Sequence, residues 1–160
     1  MTYGLMSDLQ NVFNGETEKE IFFYTPTYYC FDNFSAFEVS IWGRVFPTAE
    51  HAYQWKKYEQ KYPAIADEIY DATSPNAVKN ISDAYKQEVS EEFLKNKLKI
   101  MKEILLAKVS QHEKVKKMLI LSTGKTIIEN SLTDNYWGIG DSNGENHLGR
   151  IWMEIRGELS

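Results

Sequence analysis

The chain has 160 residues, 42% of them hydrophobic, enough for one ordinary core, and its 23 acids and 18 bases are spread along the length to a net charge of -5. That balance excludes a bulk positive field for drawing in a polyanion, so any nucleic-acid contact has to be local. The single cysteine, Cys30, excludes an internal disulfide and a cysteine-built zinc site, and neither a membrane-length apolar run nor a secretory signal pattern is present, so a cytoplasmic setting with no membrane partner is expected.

Residues 1–20 are polar and weakly patterned and read as an N-terminal extension, with the domain over 21–160. Ile21-Phe22-Phe23-Tyr24 is a run of strand formers, and Phe37, Val39 and Ile41 alternate with Glu38, Ser40 and Trp42 before Gly43, which predicts a β-hairpin turning there. Pro47-Thr48 opens a helix with Thr48 as N-cap and Glu50 in its first turn, expected to run to about Tyr62. Two short connecting helices follow, one begun by Pro63 and one capped by Ser74 ahead of Pro75. The longest helix is expected from Ser90 to about Gln111, with Phe93, Leu94, Leu98, Met101, Ile104 and Leu105 on its apolar face and Lys95, Lys97, Lys99 and Lys102 on the solvated one. Val115, Met118 and Leu119 mark another helix ended by Gly124. Thr126-Ile127-Ile128-Glu129 reads as a brief strand, and the last helix presents Leu148, Ile151, Trp152, Ile155 and Leu159 on one face. These elements predict an α+β fold: a compact, mostly α-helical single domain with a small β-hairpin or short sheet.

Residues that could carry chemistry fall into two groups. Glu50, Tyr53, Gln54 and Lys57 share a helix face beside His51, which on generic grounds is a capped surface helix with a structural histidine. Between Trp137 and Gly149 lie four glycines and two asparagines just ahead of the last helix. Glycines this dense let a backbone turn tightly and bring N–H groups to a ligand, and a following helix start favours anions such as a sugar phosphate. Trp137 suits stacking on a flat ring as well as core packing. Ahead of it, Glu129 has the ordinary alternative of a strand-end charge and Asp134 that of a turn former. The loop lacks the G-x-G-x-x-G spacing and context of a dinucleotide fingerprint, and His51, His112 and His147 lie too far apart in sequence for ligand spacing, so no metal is expected.

Taken together, Phe31-Asp32-Asn33-Phe34-Ser35, Pro47-Thr48-Ala49-Glu50-His51 with Tyr53-Gln54 and Lys57-Tyr58, and Glu129, Asp134, Trp137-Gly138-x-Gly140, Gly144-x-Asn146-x-Leu148-Gly149 and Met153-x-x-Arg156 resemble the NADAR (YbiA-like) family in order and spacing. The resemblance spans roughly Ile21 to Arg156. It implies an N-glycosidase that cleaves a ribosyl C–N bond, with no cofactor. The substrate would be a small ribosyl phosphate, namely a ribosylaminopyrimidine intermediate of riboflavin biosynthesis, or an ADP-ribosyl group on guanine, which could belong to a nucleic acid. Carried over by position, Glu50, Asp134 and Lys57 are the expected catalytic residues. Asn33, His51, Gln54, Glu129, Trp137, Gly138, Gly140 and Asn146 are expected around the substrate.

Breaking such a bond passes through an oxocarbenium-like state, which a carboxylate stabilises while the departing base takes a proton or hydrogen bonds. Glu50 is the first choice for that carboxylate, and Asp134 would hold ribose hydroxyls or assist the water. Lys57 has two open roles, a counter-charge for phosphate or an amine that attacks an opened ribose as a Schiff base. The sequence departs from the family pattern at Asp32, Ala49 and Phe93, and Ser82-Asp83 stands where a glycine and a basic residue are common, which leaves substrate preference open. A module that binds ADP-ribose or a related nucleotide without turnover is the alternative.

Overall fold

Two strands from distant parts of the sequence pair in parallel: β1 (Glu20–Phe23) runs beside β4 (Thr126–Glu129), with Ile21 opposite Ile127 and Phe23 opposite Glu129. The computed structural model describes residues 16–23 and 30–159. The chain divides into two compact units, one formed by the described residues up to Asp32 together with those from Lys114 onward, the other by Asn33–Glu113. Tyr24 and residues 1–15 of the expected extension lie outside the described residues. Glu20 already begins β1 and Glu16 bridges back to Ile21.

In the first unit β4 has two edges to satisfy. Thr126 and Asn130 donate their N–H groups to Lys19 and Phe23, so the intervening Ile127 and Glu129 turn their polar groups the other way. No strand lies there among the described residues; the Asn146 side chain stands in for one. Its Nδ2 donates to the Ile127 carbonyl and its Oδ1 accepts from Glu129 N–H, both at 2.9 Å, while Ile139 N–H donates to the Glu129 carbonyl at 3.0 Å. Asn146 holds φ +52°, a left-handed conformation that asparagine tolerates better than most residues. Directly after it α6 (His147–Leu159) packs on β4, so closely that a Cβ on Gly149 would run into the Ile127 carbonyl and the Asn146 amide. Its buried face is Leu148, Ile151, Trp152 and Ile155, as the periodicity predicts, whereas Leu159 is exposed. Trp152 Nε1–H donates to the Phe31 carbonyl at 3.0 Å, so the indole is buried without an orphaned donor. Arg156 Nη1–H groups reach the carbonyls of Ser122 and Lys125, tying down the end of α5 (Glu113–Leu121).

In the Asn33–Glu113 unit β2 (Val39–Ile41) and β3 (Arg44–Phe46) form the expected hairpin, antiparallel with Val39 opposite Phe46. Its two-residue turn has Trp42 at φ +53° and Gly43 at +75°, the primed geometry that matches strand twist. Helix α1 (Ala49–Tyr58) starts at Thr48 as predicted but stops one turn short of Tyr62. The reason is local: Tyr62 precedes Pro63, whose ring disfavours a helical conformation there, and Tyr62 sits at φ -132° as the N-cap of α2 (Pro63–Asp71). Both α2 and α3 (Pro75–Ala84) carry core residues rather than serving as connectors, since Ala66, Ile69, Val78 and Ser82 are all buried. Helix α4 (Glu91–Gln111) has the predicted bounds and Ser90 cap, but its stripe is rotated. Phe93, Met101, Ile104, Leu105, Lys108 and Val109 are buried, whereas Leu94 and Leu98, one position round the helix, are 50% and 39% exposed.

The dual role of Asn146 is testable. Asn146→Ala orphans the Ile127 carbonyl and the Glu129 N–H at a cost of about 1–3 kcal/mol for each buried group, and Gly149→Ala overpacks the β4–α6 contact by about 1–3 kcal/mol. Both variants should therefore unfold at lower urea than the parent, and an unchanged midpoint for Asn146→Ala would remove its role as a surrogate strand.

Candidate functional site

Helix α1 is buried on nearly every side, so its polar residues are not those of a surface helix. Ala49, Ala52, Tyr53, Trp55 and Tyr58 are buried, but so are Glu50, His51 and Gln54, and each of those three needs partners. The N–H of Glu50, one of the donors a helix start leaves open, goes to the Asn33 carbonyl at 3.1 Å, which ties Asn33 to the beginning of α1. The Asn33 amide donates to Met101 Sδ at 3.5 Å, and its buried Oδ1 has no hydrogen-bond partner among the described residues.

His51 is 1% exposed with both ring nitrogens engaged: Nε2 lies 3.0 Å from the Ala72 carbonyl and Nδ1 2.8 Å from Thr48 Oγ1. A carbonyl only accepts, so Nε2 carries the proton and Nδ1 accepts from the threonine hydroxyl, which in turn caps His51 N–H. This is the neutral tautomer. Burial holds the imidazole below its ordinary pKa in the same direction.

Glu50 is 7% exposed, and its Oε1 accepts from Gln54 Nε2 at 2.6 Å. Burial pushes its carboxyl above the usual carboxylate range; the Gln54 hydrogen bond and the charges of Lys57 and Lys79 pull back, and Asp83 adds to the rise. Two turns on, Lys57 is half-buried, with its ammonium 5.1 Å from the centre of the Tyr53 ring and 6.0 Å from that of Phe93. Burial pulls its pKa down; Glu50 and Asp83 oppose that, while Lys97 and Lys79 reinforce it. Lys57 also lines a groove with Phe93, Asn96 and Ile100. A desolvated carboxylate and a desolvated amine on one helix face, each shifted toward its neutral form, is an arrangement suited to proton transfer and nucleophilic chemistry.

The other unit holds Glu129, Asp134, Trp137, Gly138, Gly140 and Asn146. Asp134 Oδ1 accepts from Tyr136 N–H at 2.9 Å and Trp137 N–H at 2.8 Å, closing the turn that presents the indole. Trp137 is half-buried and packs edge-on against Tyr136 with ring centres 4.9 Å apart. Most of the loop's backbone donors are used within the protein, where the expected acceptor was an anion. Ser142 and Gly144 donate to the Ile139 carbonyl and Asn146 to the Gly138 carbonyl, while Glu145 reaches the carbonyl of Asn135. The first donors of α6 are used as well, His147 and Leu148 reaching the carbonyls of Tyr136 and Trp137. Its glycines answer to close approach: a Cβ on Gly138 would sit 2.6 Å from the Glu129 carbonyl oxygen, and one on Gly140 would strike the Asn135 amide.

Sequence reasoning missed Lys79 on α3 and singled out Ser82-Asp83, on the same helix, only as a departure from the family pattern that bears on substrate preference. Ser82 Oγ donates to Gln54 Oε1 at 2.6 Å, and Lys79 and Asp83 act on both Glu50 and Lys57. Spacing within α1 signals Tyr58, four residues beyond Gln54 on the Glu50 face, but nothing in the sequence pairs that face with α3. Among the described residues no cluster of histidine, cysteine and acidic side chains could hold a metal ion, and no helix is long and apolar enough to cross a membrane.

Residues 22–160 match the family model described as the NADAR domain. The chain is 32% identical over 143 residues to N-glycosidase Npun_R5314 of Nostoc punctiforme, covering 87% of this chain and 92% of that protein. It is 30% identical over 132 residues to N-glycosidase YbiA of Escherichia coli, 81% of each chain. The NMR structure of E. coli YbiA superposes with a TM-score of 0.78 at 27% identity, over 94% of this chain and 90% of that one. A riboflavin biosynthesis protein of Vibrio vulnificus is 26% identical across 99% of this chain and 43% of its own length.

Burial of Glu50 has a measurable cost. Its folded pKa is raised above the unfolded value, so its contribution to stability is fully present below the unfolded glutamate pKa, about 4.3, and is lost as pH rises through the folded pKa. Glu50→Gln should therefore raise the urea midpoint at pH 8, with a gain that shrinks on acidification. A variant less stable than the parent at pH 8 would contradict a desolvated carboxylate.

Proposed function

This chain belongs to the NADAR family, and we propose on that premise that it is an N-glycosidase cleaving the C–N bond between a phosphorylated ribose and a nitrogen heterocycle. Relatives named N-glycosidase, at 30–32% identity over most of the chain, support the reaction class. The observation that carries the reading is the buried Glu50 carboxylate, held at one oxygen by Gln54 and flanked by Lys57.

Glu50 stabilises the positive charge that develops at the anomeric carbon and exchanges a proton with water or the departing base, work suited to a carboxyl whose burial raises its pKa. The lowered pKa of Lys57 favours the amine over the phosphate counter-charge among its two roles. It adds to C1 of the opened ribose, the heterocycle leaves with a proton, and the resulting imine takes up water to return the free amine and the sugar aldehyde. Counter-charge for phosphate then falls to Lys79 and Lys97. In the residues from Lys114 onward, the same reading gives Asp134 Oδ2 to ribose hydroxyls and Trp137 to the heterocycle. His51 keeps the helix start in place. The name of the Vibrio vulnificus relative supports a ribosylaminopyrimidine phosphate as substrate, and an ADP-ribosylated guanine presents the same ribose, phosphate and heterocycle.

The test offers both substrates and follows the released sugar by mass spectrometry. Release from one of them, reduced by at least about 100-fold in Glu50→Gln with binding retained, is the expected result. No release from either, with ADP-ribose still bound, would make the domain a reader instead. Cyanoborohydride added during turnover should fix the sugar on Lys57 as a stable mass increment; turnover that leaves no increment returns Lys57 to the counter-charge role.

A further inference from the structure

The residue that tells Gln54 which way to face lies outside the motifs that carry the family resemblance. An amide is nearly symmetric in shape but not in chemistry, because its oxygen accepts and its nitrogen donates, and a flip exchanges them. Ser82 Oγ is 2.6 Å from Gln54 Oε1, and Gln54 Nε2 is 2.6 Å from Glu50 Oε1. Behind Ser82, Tyr58 Oη donates to the Ser82 carbonyl at 2.9 Å and lies 3.3 Å from Ser82 Oγ. Each hydroxyl has one proton. That of Tyr58 is committed to the carbonyl and that of Ser82 to the amide oxygen, so the chain of donors runs one way and ends on the carboxylate.

This geometry has two consequences for Glu50. The ionised carboxylate receives a charge-assisted hydrogen bond at Oε1, the shorter and stronger kind. Among the described residues no hydrogen bond reaches Oε2, which stays available to the reaction. We propose that Ser82 is a positioning residue for the N-glycosidase reaction: by donating to Gln54 Oε1 it orients the amide that holds Glu50 Oε1 and leaves Oε2 to work. The proposal rests on the reading that Glu50 carries the chemistry. It also explains why a serine buried to 2% exposure on α3 is tolerated there, since its proton has a buried acceptor in Gln54 Oε1.

The charged groups that act on Glu50 are Lys57 on its own helix and Lys79 and Asp83 on α3, with Lys97 of α4 acting on Lys57. None of these is altered by changes at Ser82, so a shift in Glu50 titration reports the relay. The test compares the parent with Ser82→Ala and Ser82→Thr, following the Glu50 carboxyl by carbon-13 NMR titration and turnover by its pH profile. The Gln54 bond favours ionised Glu50, so loosening it should raise the carboxyl midpoint and move the acid limb of kcat to higher pH. At acidic pH kcat should fall by about tenfold with KM unchanged, and threonine, which keeps the hydroxyl, should restore both. A folded Ser82→Ala protein with an unmoved midpoint and limb overturns the proposal. If alanine does not fold, Ser82→Cys, a weaker donor of similar size, must show the same upward shift, and an unmoved midpoint there overturns it equally. A parent protein that hydrolyses neither substrate defeats the N-glycosidase reading instead, and the titration alone then decides whether Ser82 sets the state of Glu50.

Discussion

A carboxylate placed out of water in the first turn of a buried helix is the constraint around which the Asn33–Glu113 unit is organised. Ionised, Glu50 demands compensation: the helix start offers a favourable dipole, Gln54 a hydrogen bond, and Lys57 and Lys79 positive charge. None fully offsets the burial, which is why the carboxyl stays raised. The same arrangement explains the company it keeps. A buried glutamine needs its second end satisfied, which calls for Ser82, and a half-buried lysine gains from aromatic faces near its ammonium, which Tyr53 and Phe93 supply.

Much of the fold was legible because local chemistry decided it. Thr48, Ser74 and Ser90 each cap the helix they were expected to cap, and Pro63 and Pro75 sit in first turns. The Trp42-Gly43 turn and the Thr126–Glu129 strand follow from residues within a few positions of one another. What was hidden depends on distant partners. The parallel pairing of β1 with β4 has no local signature, and the burial of Phe93 in preference to Leu94 turns on which side of α4 its neighbours occupy. Within the candidate site, Glu50, Gln54 and Lys57 were visible as one face of one helix. The contact of Ser82 with Gln54 was not, because the two are 28 positions apart on different helices.

The glycine loop shows how one sequence signal can have two physical causes. Dense glycine predicts close backbone approach, and that is what the structure contains. The object approached is the protein itself: the Glu129 carbonyl, the Asn135 amide and the β4 edge that Asn146 completes. Glycine content reports the need for proximity and is silent on whether a ligand or a neighbouring strand supplies it.

The pairing of β1 with β4 also bears on how the chain reaches this state. Between the two strands lies the whole Asn33–Glu113 unit, in which α1, α2 and α3 pack on near neighbours in sequence and can form while the flanking segments are still apart. Joining the strands first would close a long, disordered loop at an entropic cost that no local interaction repays. Once the helices are in place, the ends of that unit are held by structure instead of by a fluctuating chain, and the same closure becomes cheaper. The parallel ladder, few in residues and remote in sequence, is therefore expected to form late in folding, whereas the Asn146 bracket on its far edge closes only 17 to 19 positions.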